Sequence, residues 1–257
     1  MKSFISSDKK PKRVIRLWSA ALWLLLWQGL SVYIGQEILL VSPVSVVQRL
    51  AQLALEKGFW QSVLFSLQRI TAGFLLAAIT GVVFAALTAR FRRIEEFLAP
   101  AILLIKSTPV ASFVILVLIW VSSRNLSVVI SYLMVLPIIY TNMLEGVRST
   151  DVNLLEMAQV FGIPKHRRVL YIYASQVMPF FQSACLAGLG LCWKAGVAAE
   201  VIGIPKGSIG EKLYMAKVYF ATPDLFAWTL TVILASLLFE KLFMLAVCAL
   251  INRLERL

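Results

Sequence analysis

Within long apolar stretches the sequence places a few ionisable and polar residues, and these are the positions at which chemistry is expected. Lys194 lies in the run Met178–Ile202, about 24 Å along a helix begun at Met178 at about 1.5 Å per residue. An ammonium at that depth faces a bundle interior or a water-filled cavity more readily than lipid, and there it would meet an anionic solute. The other readings are a buried pair with a carboxylate such as Glu200, or snorkelling to the surface. Six residues of helix rotate by about 240°, which opposes a direct Lys194–Glu200 pair. Lys106, in Lys106-Ser107-Thr108-Pro109, stands beside a proline that frees a backbone carbonyl, so that Lys106 and Pro109 predict a kinked polar wall. Pro137 and Asn142 repeat that pattern in the next apolar run. Lys194, Lys106, Pro109, Asn142 and Glu200 are therefore the candidates for a solute pathway.

Covalent and metal chemistry lack their residue sets. His166 is the single histidine, set among Lys165, Arg167 and Arg168, without a nucleophile or co-ligand, and reads as a surface residue. Cys185, Cys192 and Cys248 lie in apolar runs without metal-ligand spacing and read as small core residues. No Ser/Lys or Ser/His pair or paired carboxylates stand out, so no catalytic residue, no metal and no enzyme activity are expected. The Gly-x-x-x-x-Gly-Lys-Ser/Thr loop is missing from the sequence, and with it the usual cradle for ATP phosphates. No cofactor bound by this chain is expected.

The elements that position these residues follow from composition. With 60% hydrophobic and 15% charged residues over 257 positions, there is too little polar surface to coat a soluble globule, and the solvent is lipid. A span needs about 20 apolar residues. Six runs qualify: Leu17–Ile34, Leu64–Ala89, Phe97–Val121, Leu126–Glu145, Met178–Ile202 and Leu225–Ile251. The fold class is an all-α membrane protein, divided into a basic N-terminus (1–16), a first helix with an amphipathic segment (17–55), a membrane domain (56–251) and a C-terminus (252–257). The basic segment before Leu17 resembles a secretory signal, but Gly29-Leu30-Ser31 is a poor cleavage site and the run is read as retained. Cations cluster at the N-terminus (Lys2, Lys9, Lys10, Lys12, Arg13, Arg16), at Arg90, Arg92 and Arg93, at Arg148, Lys165, Arg167 and Arg168, and at Arg253 and Arg256. They outnumber Arg49, Lys57, Arg69, Arg124, Lys206, Lys212 and Lys217 on the other face, which predicts both termini on the cytoplasmic side of the cell membrane. The net charge of +12 is accounted for by this bias, and no nucleic-acid partner is expected.

Three stretches between the runs carry further information. Pro43–Lys57 places Val46, Val47, Leu50, Leu53 and Ala54 opposite Gln48, Arg49, Gln52 and Glu56, an amphipathic helix at the membrane surface. Gly203–Pro223 is rich in glycine and proline and forms a lid, a contact for a binding protein, or a plain connector. Ser149–Arg168 predicts a short helix capped by Thr150 or Asp151 and ended by Gly162-Ile163-Pro164. Leu154, Met157, Ala158 and Phe161 share one face, and Asn153, Glu156 and Gln159 the other.

Glu156-Met157-Ala158 followed by Gly162 resembles the Glu-Ala-Ala loop of ABC importer permeases of the binding-protein-dependent type, with Met157 in place of the first alanine and Met178-Pro179 one turn beyond the usual Leu-Pro position. Val41-Ser42-Pro43 with Val46, Ser66-Leu67-Gln68-Arg69, Gly73-Phe74, Trp193 and Ala198-Ala199-Glu200-Val201-Ile202-Gly203 are similar to the nitrate, sulfonate, taurine and bicarbonate branch, over roughly residues 40 to 255. Ser122-Ser123-Arg124-Asn125 departs from that branch, which has a Gly-x-Gly-like turn there. The resemblance implies a type I importer permease fold with a coupling helix, in which Leu154, Glu156, Ala158, Phe161 and Gly162 dock on a separate ATPase subunit. It also implies two ATPase subunits holding ATP and Mg, a second permease copy or homologue, an extracellular or periplasmic substrate-binding protein, and surrounding lipid. The cargo implied is a small anion, with a vitamin precursor such as a thiamine pyrimidine or riboflavin as the alternative. A secondary transporter working without ATP would favour repeated halves, and residues 17–121 and 126–251 show no convincing similarity.

Overall fold

A computed structural model describes residues 17–254. The basic segment 1–16 and residues 255–257 lie outside the described residues, and with them Lys2, Lys9, Lys10, Lys12, Arg13, Arg16 and Arg256. The elements in chain order are α1 (Leu17–Ile34), α2 (Pro43–Ala54), α3 (Lys57–Arg90), α4 (Arg92–Ser107), α5 (Val110–Val117), α6 (Ser123–Arg148), α7 (Val152–Val160), α8 (Lys165–Arg168), a π-helical turn (Val169–Tyr173), α9 (Ala174–Gly203), α10 (Ile209–Val218) and α11 (Thr222–Leu254). Among the described residues, α3, α6, α11 and the continuous stretch from α8 through α9 are long and apolar enough to cross a membrane, and the pair α4–α5 makes a further crossing if taken together. The apolar helix α1 is shorter.

The third apolar run, Phe97–Val121, is not one helix. Its two pieces meet at 109° around Thr108 and Pro109. The cause is local: the ring of Pro109 excludes helical backbone at the preceding residue, and Thr108 is extended at φ −83°, ψ 129°. The kink read from sequence is a break. Helix α1 matches its apolar run, whereas α3, α6, α9 and α11 exceed theirs: α3 has 34 residues, about 51 Å at 1.5 Å per residue, longer than a hydrocarbon core of about 30 Å. Its polar first turns before Leu64 continue the helix beyond the apolar stretch, where tilt or protrusion accommodates the excess.

The centre is a three-helix unit in which α6 packs along α3 and α9. Ile70, Phe74, Val135, Ile139, Leu189 and Trp193 fill it, and Phe243 of α11 meets Phe74 edge-on at 5.0 Å between centroids. α5 lies on α6 and α9 through Val114, Leu126, Ile130, Ala195 and Ala199. In lipid, expelling water supplies no attraction between helices, so close backbone contact through small residues replaces it. A Cβ at Gly73 would lie 2.4 Å from the carbonyl oxygen of Val128 and 2.9 Å from Ser131 Cβ. The Ser131 hydroxyl in turn donates to the Cys192 carbonyl at 3.2 Å.

The surface helix α2 starts at Ser42, whose hydroxyl accepts from Ser45 N–H at 3.1 Å, with Pro43 at its first turn. Val46 and Leu53 are buried as expected, whereas Val47 is exposed, because the buried face is narrower than the apolar one. Arg49 forms a forked ion pair with Asp224 at the start of α11, one arm at 3.1 Å, which raises the Arg49 pKa above its ordinary value. α1 is held more loosely: Trp27 donates to the Val41 carbonyl and Ser31 to that of Leu40.

Gly73→Ala should destabilise the solubilised protein by about 1–3 kcal/mol, since the contacted atom is backbone and the core must shift. Gly58→Ala, where an added methyl meets nothing within 4 Å, should be neutral or stabilising by up to about 1 kcal/mol. Thermal unfolding of the two variants beside the parent checks both.

Candidate functional site

The break between α4 and α5 exposes a polar corner. Lys106, Ser107, Thr108 and Pro109 line a recess of about 390 Å³ with Pro137 of α6 and Leu191 of α9. Lys106 and Pro109 are exposed, and so is Lys194, one turn beyond Leu191. Lys194 lies on a continuous exposed stripe of α9 made of small residues: Ser183, Ala187, Gly190 and Ala198 flank it at helical spacing. Among the described residues neither Lys106 nor Lys194 has a carboxylate within ion-pair distance, so the paired reading of Lys194 fails. Asn142 is half-buried, and its amide donates to the Ile138 carbonyl at 2.8 Å, while Thr141 donates to that of Pro137 at 2.7 Å. Both side chains bond back to carbonyls of their own helix four residues earlier, so neither is left with an unmet donor beside the proline.

Glu200 is elsewhere. It is fully buried, which removes it from the pathway surface in this structure. The Ser66 hydroxyl of α3 donates to Glu200 Oε2 at 2.6 Å, and Gly210 N–H donates to the same oxygen at 3.3 Å. Ser66 Oγ also accepts from Ile209 N–H at 3.0 Å. A buried carboxylate is costly without donors; Oε2 takes two, the Ser66 hydroxyl and the Gly210 amide, the latter at the start of α10, whose helix dipole favours a negative group at its N-terminus, while Oε1 has no partner among the described residues. Glu200 thus fastens α10 to α3 and α9. Gly210 is needed for the approach, since a Cβ there would lie 2.2 Å from Glu200 Cβ. The left-handed backbone of Ile204, φ 47°, ends α9 and turns the chain towards α10.

At the other end of the bundle α7 projects beyond α6 and α9. Asp151 caps it, its carboxylate accepting from Asn153 N–H at 2.8 Å. The buried Thr150 instead donates to the Gly146 carbonyl. Gly162, φ 64°, ends the helix with Ile163 N–H donating to the Ala158 carbonyl at 2.9 Å, the left-handed stop read from sequence. The partner-facing set needs a correction. Ala158 is fully buried and Leu154 half-buried, whereas Val160 and Phe161 are 84% and 75% exposed and Met157 and Glu156 are exposed. The chain itself covers the Leu154–Ala158 side, so any partner meets Met157, Val160 and Phe161. A recess of about 440 Å³ opens beside them, lined by Phe161, Gly162, Pro164, Arg167 and Tyr171.

Sequence reasoning missed Ser66, Gly210 and Val160. Ser66 and Glu200 are 134 residues apart, and their pairing has no local signal. Val160 was legible as the residue completing the exposed side with Met157 and Phe161.

Replacing Glu200 by Leu should strand the Ser66 hydroxyl and the Gly210 amide and cost about 1–3 kcal/mol, whereas Glu200→Gln keeps one accepting oxygen and should cost less. Hydrogen exchange at the amides of residues 209–212 reports the difference: it should accelerate strongly in the Leu variant and weakly in the Gln variant.

Residues 73–256 match the family model described as binding-protein-dependent transport system inner membrane component. A Bacillus subtilis protein named for aliphatic sulfonates transport is 26% identical over 85% of this chain and 82% of its own length. A nitrate import permease protein of Synechococcus elongatus is 25% identical over 76% and 73%. A riboflavin transport system permease protein of Chloroflexus aurantiacus is 29% identical over 84% and 81%. With most of the chain matched, the reading as a transporter independent of ATP is set aside, and the bundle is the type I permease fold. The chain belongs to the binding-protein-dependent inner membrane component family, and is thus a multi-pass inner-membrane permease subunit of an ABC importer, a transport subunit rather than an enzyme, working with ATPase and binding-protein partners.

Proposed function

We propose that this permease carries a small anionic solute, of the sulfonate, nitrate or taurine kind, inward from an external binding protein, and that α7 is the helix through which two ATPase subunits drive it. The observation that carries the coupling is the exposed apolar tip Val160–Phe161 next to the left-handed Gly162, on an element outside the spans. Apolar side chains left in water at a helix end mark a partner's groove. The exposed cations Arg90, Arg92, Arg93, Arg148, Lys165 and Arg167 share that end, which supports placing it, and both termini, in the cytoplasm. The small-residue stripe of α9 supports close approach of a second permease copy or a homologue, leaving Lys194 on the seam.

The anionic cargo is supported by the unpaired Lys194 and Lys106 and by two relatives named for sulfonate and nitrate transport. A vitamin-like cargo is favoured by one finding, the relative named for riboflavin. ATP closing the ATPase pair would move α7 and rock the bundles between inward-open and outward-open states. The chain itself contributes no ATP site, and Mg and ATP are held by the partners.

In the complex co-purified with its ATPase, Phe161→Ala should weaken retention of the ATPase by roughly 30-fold, the loss of about 2 kcal/mol that a central aromatic anchor contributes. Gly162→Asp should uncouple hydrolysis from uptake through strained backbone, whereas His166→Ala should change neither. If no ATPase binds the wild-type chain while solute still crosses liposomes, the coupling reading fails. In proteoliposomes, Lys194→Gln should lower the uptake of taurine or nitrate about tenfold with the complex still assembled, and Lys194→Arg should lower it less.

A further inference from the structure

At the end of the bundle opposite α7 a third recess, of about 600 Å³, lies where α3, the start of α6 and the end of α9 meet. It is separate from the Lys106 corner and shares no lining residue with it. Its walls include Phe65, Ser122, Ser123, Arg124, Pro205 and Lys206. Behind Phe65 stands a third cation. The Arg69 guanidinium stacks on the Phe65 ring at 3.8 Å from its centroid, and its Nε–H donates to the Arg124 carbonyl at 2.6 Å. Arg69 is half-buried, and Arg124 and Lys206 are exposed.

Among the described residues, none of these three cations is within ion-pair distance of a carboxylate. The acidic groups closest in the fold are already engaged. Glu200 lies buried behind Arg69, accepting from Ser66 and Gly210, and Glu211 accepts from Gly207 N–H at 2.6 Å. Arg69 and Arg124 repel each other, the buried Glu200 offsets only part of that on Arg69, and such repulsion costs more beside a low-dielectric wall. Other donors are present as well. The hydroxyl of Ser122 makes no capping bond at the start of α6; the Asn125 amide is taken by the Ser122 carbonyl at 3.0 Å, leaving the hydroxyl and the Ser123 and Arg124 amides available. Guanidinium and hydroxyl donors around a concave floor suit a planar or tetrahedral oxyanion, which takes several charge-assisted bonds at once.

We propose that this recess is a reception site for the oxyanion group of a small solute, occupied at the outer mouth before the solute reaches Lys194. The proposal rests on the anionic-cargo reading and on the orientation that puts α7 in the cytoplasm. A phospholipid headgroup offers the same oxyanion chemistry at the same depth, and the test separates the two sources. A concave pocket with a recessed cation favours a small solute over an acidic protein surface, which would need an open, convex fit.

The permease–ATPase complex in nanodiscs of phosphatidylcholine, without binding protein, is titrated calorimetrically with nitrate and with 2-aminoethanesulfonate. Saturable binding of one anion per permease chain is expected, weakened about tenfold or more in Arg124→Gln and again in Lys206→Gln, and largely restored in Arg124→Lys. His166→Ala, at the far end of the bundle, should leave it unchanged. Variants are compared only where they elute as the assembled complex and unfold at the parent temperature. Equal binding by parent and Arg124→Gln overturns the site. If free anions fail to bind once phosphatidylglycerol replaces phosphatidylcholine, the pocket belongs to lipid headgroups and the proposal falls. If Arg124→Gln leaves anion binding intact and abolishes stimulation by the binding protein, the recess is a protein-docking face and the proposal is wrong. Uptake by the wild-type importer separates the levels: riboflavin carried in preference to either anion removes the cargo reading and this site with it, whereas anion uptake without Arg124-dependent binding removes the site alone.

Discussion

The fold depends on how closely α6 can approach α3 and α9 in a solvent that offers helices no hydrophobic reason to associate. Lipid tails are as apolar as leucine, so contact must come from shape and from the few polar groups that find partners inside. At Gly73 the backbone of α3 touches that of α6, and Ser131 crosses from α6 to α9. Because such a core has little slack, the three helices form one stiff unit. The short helices at its two ends are attached to that unit, α7 through the Asp151 N–H, which donates to Gln176 of α9 at 2.8 Å, and through the buried Ala158, and α10 through Glu200. A push on one end, as the proposed coupling requires, would be carried to the other by packing rather than by flexible chain.

Polar residues are concentrated where this stiffness is interrupted. Backbone outside a regular helix is tolerated at membrane depth only where protein or water covers it, and the break at Thr108–Pro109 faces the recess holding Lys106. Pro137 sits in the same recess, with Thr141 and Asn142 bonded to the carbonyls beside it. A solute passing along the exposed stripe of α9 would thus meet an ammonium, hydroxyls and opened backbone on one side of the bundle, while the lipid-facing sides stay apolar.

Much of this was legible in the sequence, and the remainder has identifiable causes. The apolar runs announced the long helices because hydropathy acts within about 20 consecutive residues. The cap and stop of α7 were legible for the same reason, since Asp151 and Gly162 act on their own neighbours. The break at Pro109 was read too mildly: a proline signals where a helix fails, but the angle is decided by what α5 packs against. Ala158 was set on the wrong side because a helical wheel identifies an apolar face without saying whether the chain or a partner covers it. Glu200 was misjudged because its donors, Ser66 and Gly210, come from two other helices. The charged recess at Arg69 and Arg124 was equally hidden, being assembled from helices far apart in the chain.

The central claim is that force enters this permease at the tip of α7 from a separate ATPase. Its most direct test is site-specific crosslinking. Cys185 and Cys192 are buried and Cys248 is exposed, so a Cys248→Ser background carrying Val160→Cys presents one reactive thiol on α7. That thiol should form a disulfide with a cysteine placed in the groove of the ATPase, and ATP-driven uptake in proteoliposomes should stop until the bond is reduced. If no groove position on the ATPase reacts while ATP-driven uptake proceeds normally, α7 is not where the two subunits meet and the account is contradicted.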